Sequence, residues 1–369
     1  MNQSVLRLIF CVFFVLLTGC NSVLDEFEQN KATHFEEPIA SLNIGAINIS
    51  HSTLSEIFLQ QLRNQLDQGT INKTILFVPV TIQYANEIKS FELHKTENEF
   101  RLEVEMNGTA DIKSSAGSGF VPYSIQVVTT VMPKYEGGKF VAKLTLKELN
   151  VSQVRLGPLN LTPFIKAILI EKLKENETLH LFTPHSSLNI QQANFKILQN
   201  QLDIALVSAL HCAEKNLEFP ASDLKDGFQI FIYNPAMKCI FNDYEYQSNS
   251  KQKIILQGIT FDNNGKFESV FDVWNLKFPK RHNQGSAKGS MEFEEQNIEL
   301  NLDEVIVQDR HFLSKFLKPM AEKKLTDFDQ ILNHTISSFN SLHPHIAFME
   351  LQFVDEGSFI VINGALRTE

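Results

Sequence analysis

The sequence predicts an α+β protein in which antiparallel sheet, covered on one side only, alternates with long apolar-faced helices in two similar halves. Three observations predict it. Phe100, Leu102, Val104 and Met106 alternate with Arg101, Glu103, Glu105 and Asn107, the period-two pattern of a strand with one wet face. Leu161, Phe164, Ile165, Ile168, Leu169 and Leu173 form a broad helical stripe. Leu300 to Val307 (LNLDEVIV) can be laid on Leu144 to Val151 (LTLKELNV), and a long apolar-faced helical region follows both.

The chain opens with an apolar run from Val5 to Leu17 behind Arg7, too short for a permanent membrane-crossing helix of about 20 residues. It closes on Leu17-Thr18-Gly19-Cys20, which matches the box at which bacteria process lipoprotein precursors. Residues 1–19 are therefore expected to be removed, leaving Cys20 as an acylated amino terminus; an ordinary secretory signal with a chance cysteine is the alternative. Asn21 is not the Asp that commonly retains such proteins at the inner membrane, so an outer-membrane, periplasm-facing location is expected. Residues 20–40 hold Asp25, Glu26, Glu28, Glu36 and Glu37 with little apolar periodicity and read as an acidic tether. As a flexible coil about 20 residues long it would reach roughly 25 Å.

The first half, residues 41–211, starts with a helix in which Leu54, Ile57, Phe58, Leu62 and Leu66 share a face, Thr53 and Glu56 fit a capping box, and Gly69 offers a stop. Strands follow at Phe100 to Asn107, Ile125 to Val131 and Phe140 to Lys147, the last two joined by a Gly137-Gly138 turn. Thr162 and Pro163 suit the N-cap and first position of the next helix. A closing strand is expected around Phe195 to Val207.

The second half, residues 219–369, has strand-like segments at Phe228 to Tyr233, Lys253 to Phe261 and Phe267 to Phe278, with an Asn264-Gly265 turn between the last two. Ile298, Leu300 and Leu302 then alternate with polar residues. The helical region after them carries Phe312, Phe316, Met320, Leu325, Phe328, Leu332, Ile336 and Phe339, with Pro319 expected to kink or split it. Pro184-His185 and Pro344-His345 each lead into a final strand. No counterpart of the Leu54 to Leu66 helix is evident before Phe228.

Composition bounds the function. The 369 residues are enough for two cores, and 30 Phe against 6 Tyr and 1 Trp supply apolar bulk with few hydrogen-bonding handles. The formal charge is −10, and loss of the signal leaves 32 basic against 43 acidic residues; such a surface repels phosphate backbones, so no nucleic-acid partner is expected. Once Cys11 leaves and Cys20 is acylated, Cys212 and Cys239 remain. An oxidising compartment permits a disulfide, and spacing alone leaves two buried thiols as the alternative. There is no Gly-x-Ser-x-Gly elbow, phosphate-cradling glycine loop or Cys-x-x-Cys pair. His343, His345 and Asp355, with His311, lack helical ligand spacing and a supporting cysteine, and His343-Pro344-His345 reads as a surface turn, so no metal or cofactor is expected. Glu36-Glu37 and Glu294-Glu295 read as solvated charges, and the chain is expected not to be an enzyme.

The Phe140 to Val151 strand, the Leu159-Asn160-Leu161 lead into the helix and the Phe195 to Val207 strand, behind a lipoprotein box, resemble the YceB-like bacterial lipoproteins, which are similar to the tubular lipid-binding (TULIP) superfamily. The resemblance covers Leu54 to about Leu206, and the second half only through the internal repeat. It implies a strongly curved antiparallel sheet wrapped around a long helix, here as two tandem domains, and a lipid or similar apolar ligand between helix and sheet. No catalytic residues carry over. Phe164, Ile168, Leu169, Phe316, Met320 and Phe328 are the candidate lining residues. The competing expectation is an envelope scaffold with filled cores, because periodicity is the same for a packed interior and a lined tube.

Overall fold

Two runs of elements, each a strand, a helix, an antiparallel meander, a second helix and a closing hairpin, leave one shared sheet and return to it. The computed structural model of the chain describes residues 22–367 apart from 38, 76–77, 115–116, 157–158, 176, 213–217, 221–222, 278–279, 295–296, 309–316, 344–345 and 356. The expectations placed on the signal, Cys20, His311, Phe312, Phe316, Pro344 and His345 therefore fall outside the described residues. Helix α1 spans residues 22–36. The first run is β1 (Ile39–Ser50), α2 (His51–Leu66), β2 (Gln68–Ile75), β3 (Val78–Lys95), β4 (Phe100–Ser114), β5 (Gly117–Glu136), β6 (Lys139–Val151), the short pair β7 (Arg155–Leu156) and β8 (Leu159–Asn160), α3 (Thr162–Glu175), β9 (Thr178–Phe182), β10 (Ile190–Ile197) and β11 (Gln201–His211). The second is β12 (Phe228–Tyr233), α4 (Asn234–Gln247), β13 (Gln252–Phe261), β14 (Lys266–Asn275), β15 (Arg281–Glu294), β16 (Asn297–Val307), α5 (Leu317–Leu342), β17 (Ile346–Val354) and β18 (Phe359–Leu366).

The shared sheet has the order β10-β11-β1-β12-β18-β17, three strands from each run, joined where β1 pairs antiparallel with β12 from Gly45↔Ile232 to Ile49↔Phe228. Two further large sheets lie outside it, an outer sheet of order β2-β3-β4-β5-β6-β9 and one of order β13-β14-β15-β16. The six-stranded outer sheet is strongly curved. Bulges at Ile88/Ser90, Val128/Thr129 and Phe140/Val141 each add a residue to one strand and bend it. Burial alternates along β4 as the sequence predicts, because one face of the sheet meets the core and the other water, and it alternates along the first half of β14.

Several boundaries move. Ser50, not Thr53, caps α2: its hydroxyl accepts from the Thr53 amide at 3.2 Å, Asp67 ends the helix, and Gly69 lies in β2. The expected Phe195 to Val207 strand is two strands, β10 and β11, paired as a hairpin. The described part of α5 runs unbroken from Leu317 through Pro319 to Leu342, so Pro319 does not split it. The helix without an apparent counterpart has one in α4, which follows β12 as α2 follows β1. His343 is buried, bonded through Nε2 to the Leu181 carbonyl at 2.9 Å, and so is not part of a surface turn.

One continuous apolar cluster runs from β1 to β18. Part of the phenylalanine excess is explained by a recurring device in which an aromatic ring lies across the ladder from a glycine. Phe267 opposes Gly289, Phe271 opposes Gly285, Phe228 opposes Gly364, and Tyr123 opposes Gly108. A β-carbon at Gly285 would come 2.4 Å from the Phe271 ring, so the glycines make the room the rings fill.

The edges of the four-stranded sheet are closed by helix side chains. Asn242 of α4 donates to the Leu256 carbonyl on β13 and accepts from its amide, both at 2.8 Å. Asn333 of α5 does the same to Ile298 on β16, at 2.7 and 2.6 Å. Each satisfies two backbone groups that an edge strand leaves open. Asn242→Ala is expected to strand the buried Leu256 pair and cost about 2 kcal/mol. Urea unfolding measures it; a change below about 0.5 kcal/mol would show that water replaces the amide there.

Candidate functional site

Helices α3 and α5 bury apolar faces in the same cluster. On α3, Ile165, Ile168, Leu169 and Leu173 are buried and the helix packs on β6, whereas Phe164 is 39% exposed. On α5, Leu317, Met320, Ala321, Leu325 and Ile336 are buried; the helix packs along β16 and reaches β9, β13 and β14. Of the six candidate lining residues, Ile168, Leu169 and Met320 thus share one apolar interior and Phe164 meets solvent. Phe316 lies outside the described residues, and of Phe328 only the backbone, in α5, is described.

Aromatic rings dominate the surroundings. Phe140 of β6 and Phe182 of β9 stack at 4.2 Å between ring centres, and Phe100 on β4 is equally buried. Among the described residues these positions offer no charged group, so the surroundings are hydrocarbon-like and present nothing that would orient a polar head. Cavities that described residues form elsewhere have mixed polar and apolar linings. One of about 650 Å³ lies around Asn86, Asn107, Tyr123 and Ser152, and one of about 540 Å³ lies beneath α1. In the first, the Tyr123 hydroxyl donates to Asn86 Oδ1 at 2.8 Å, and Asn86 in turn donates to the Leu66 carbonyl at the end of α2. Burial pushes the Tyr123 phenol well above its ordinary value.

Residues 22–36 are not the solvated leash their acidic composition suggests. Phe27 is buried against Trp274 and Tyr246, at 5.4 and 5.7 Å between ring centres. His34 Nε2 meets Asp243 Oδ1 at 2.6 Å, and Glu26 meets His282 Nδ1 at 3.1 Å. The acids point outward, Phe27 points in, and Phe35 and His34 pack half-buried against Tyr246. Burial, then the charges of Asp272 and Glu37, push the Tyr246 phenol up to about 12.

The cavity beneath α1 is floored by Cys212 and Cys239, which are joined as a disulfide with α-carbons 5.7 Å apart. The bridge ties the end of β11 to α4. Beside it α4 carries a buried ionic group: Lys324 of α5 meets Glu245 Oε1 at 2.8 Å, and Lys253 donates to the Glu245 and Ser248 carbonyls that end the helix. Burial holds Lys253 down to about 8.

No protein-family model and no curated protein sequence matches the chain. Among solved structures, the chain is similar to a lipopolysaccharide binding protein, at 10% identity over 88% of this chain and 98% of that one, with a TM-score of 0.34. It is also similar to P47 of Clostridium botulinum A2, at 8% identity over 87% and 97% with a TM-score of 0.29, and to P47 of Clostridium botulinum E1, at 8% over 89% and 100% with a TM-score of 0.32.

Proposed function

We propose that the protein is a lipid-anchored, periplasm-facing outer-membrane lipoprotein of two related YceB-like domains, and that it binds or shuttles a lipid or similarly apolar molecule without catalysing a reaction. The observation that carries the ligand reading is the curved sheet closed over a continuous, phenylalanine-rich interior into which α3 and α5 both turn Ile168, Leu169 and Met320. Burial of acyl methylenes contributes about 0.8 kcal/mol each, so a ten-carbon segment could supply roughly 8 kcal/mol before ordering costs, enough to survive purification. The anchor and location rest on the Leu17 to Cys20 box. A second reading, a scaffold with filled cores, is favoured by the rings that occupy the interior, with Phe140 stacked on Phe182 at 4.2 Å between centres and Phe100 fully buried.

Trp substitution separates the two. If Ile168 and Met320 face ligand space, Ile168→Trp and Met320→Trp should block uptake at little cost in stability, because the added volume enters room the ligand would take. In a close-packed interior the same enlargement forces strained rotamers and costs about 2 kcal/mol each. Native mass spectrometry for co-purified lipid, fluorescent fatty-acid titration and thermal melts of the variants read both effects. No saturable uptake by the wild type, with strongly lowered melting of both variants, would sink the ligand reading and leave the scaffold.

A further inference from the structure

The last turn of α1 is held by two residues that neighbour the two half-cystines. His211, which precedes Cys212 in the chain, lies edge-on to the Phe35 ring at 4.8 Å between centres and donates through Nδ1 to the Glu37 carbonyl at 3.0 Å. Asp243, one turn beyond Cys239 on α4, meets His34 Nε2 through Oδ1 at 2.6 Å. Its Oδ2 accepts from the His211 amide at 3.2 Å, which closes the group. The disulfide joins the two chain segments that carry His211 and Asp243, so it fixes the spacing to which His34, Phe35 and Glu37 are fitted.

The helix is also separable from the core. Its buried ring, Phe27, belongs to a small cluster with Tyr246, Ile255 and Trp274, against which Val23 and Phe35 pack, whereas Cys212 and Cys239 belong to the continuous interior. Release of α1 therefore opens the small cluster and leaves the continuous one in place. The cavity of about 540 Å³ under the helix shares its wall between both cysteines and Asn30, Thr33 and His34 of α1. The cysteines are only 4% and 3% exposed, so a thiolate that reaches them has to come through this cavity, past the helix.

We propose that α1 is a strap controlled by the Cys212–Cys239 bond: the bond holds the seat of the strap, the strap shields the bond, and a dithiol reductant releases both. The reaction is thiol–disulfide exchange. A thiolate of the reductant attacks one cystine sulfur, the S–S bond breaks to give a mixed disulfide and one Cys thiolate, and the reductant's second thiol resolves the mixed disulfide. Two electrons and two protons pass to the protein, which ends with two thiols, and the reductant leaves as a disulfide. With the bond open, the end of β11 and α4 are no longer tied at Cys212 and Cys239, and His211 and Asp243 lose their fixed spacing. The coupling is reciprocal, since whatever the bond adds to docking of the strap, docking adds to the bond. Release uncovers Tyr246, Ile255 and Trp274, and turns a helix about 22 Å long into a leash of up to about 50 Å.

The test takes the full chain, purified from a bacterial envelope with neither Cys212 nor Cys239 open to alkylation, and exposes it to dithiothreitol. Phe27→Ala, which removes the deepest hold of the strap, is expected to lose this bond at least about ten-fold faster than wild type. Leu144→Ala, a core truncation on β6 away from α1, is expected to keep the wild-type rate, because the opening that admits the thiolate is local. In the reciprocal arm, trypsin is expected to cut at Lys31 of α1 several-fold faster in the Cys212→Ala, Cys239→Ala variant than in the oxidised wild type, with cleavage at Lys143 of β6 unchanged and the emission of Trp274 shifted to the red. Equal reduction of wild type and Phe27→Ala, or acceleration by Leu144→Ala to the same extent, would show that the bond opens by global unfolding and that α1 shields nothing. An unchanged rate at Lys31 in the cysteine-free variant, or a rise matched at Lys143, would overturn control of the strap by the bond.

Discussion

Replacing Glu245 by Ala is expected to lower the stability of the fold by about 4 kcal/mol, the cost of leaving one member of a buried ionic group without its partner. Glu245 is 1% exposed on α4, and its Oε1 is the counter-ion of Lys324 on α5. Its Oε2 has no hydrogen-bond partner among the described residues, so there the carboxylate depends on Lys324 for its neutralisation. Removing it leaves the Lys324 ammonium, with only a fifth of its surface exposed, facing the buried Lys253. Lys253 itself keeps its bonds to the Ser248 carbonyl and hydroxyl, both at 2.7 Å, so the loss is charge and not helix capping. The double replacement Glu245→Leu, Lys324→Met removes both charges and should recover most of the stability, because two apolar groups of similar bulk avoid desolvation altogether. Urea unfolding of the two proteins decides the matter. A single mutant within about 1 kcal/mol of wild type would mean that water reaches the pair.

The same network shows why α4 escaped the sequence. Helical periodicity is visible when one face is wet, and α4 buries Asn242, Asp243 and Glu245 together with Cys239, Ile240 and Phe241. With polar residues inside, the apolar stripe disappears. β15 was hidden for a different reason: its inward places at Gly285 and Gly289 are empty, and the bulk that belongs there is carried across the ladder by Phe271 and Phe267. Helix α1 was misread because its outward acids outnumber the single deep anchor, Phe27. The strands that could be read, such as β4 and β12, each carry their own alternation, and α2 and α3 their own stripe. For the site, the sequence indicated which residues of α3 turn inward, apart from Phe164. It carried no sign of the edge-closing Asn242 and Asn333, whose role exists only once helix and strand are side by side.

Breaking the Cys212–Cys239 link is expected to cost about 3.5 kcal/mol, from the chain entropy regained when a cross-link across 27 residues is opened. The magnitude comes from the unfolded state, which makes the pattern among variants more telling than the size. If the bond is the source, Cys212→Ala alone removes all of it, as does Cys239→Ala, and the double variant should be no worse than either. If the two sulfurs merely fill space, at 4% and 3% exposure, each substitution leaves its own small void and the two losses add. The link also joins the last strand of the first run to the first helix of the second, close to α1, so its loss should loosen the packing of Phe27 and alter the fluorescence of Trp274. Thiol alkylation of denatured, non-reduced protein gives the independent check. Additive single losses, together with two alkylatable thiols at these positions, would show that the purified chain does not carry the bond.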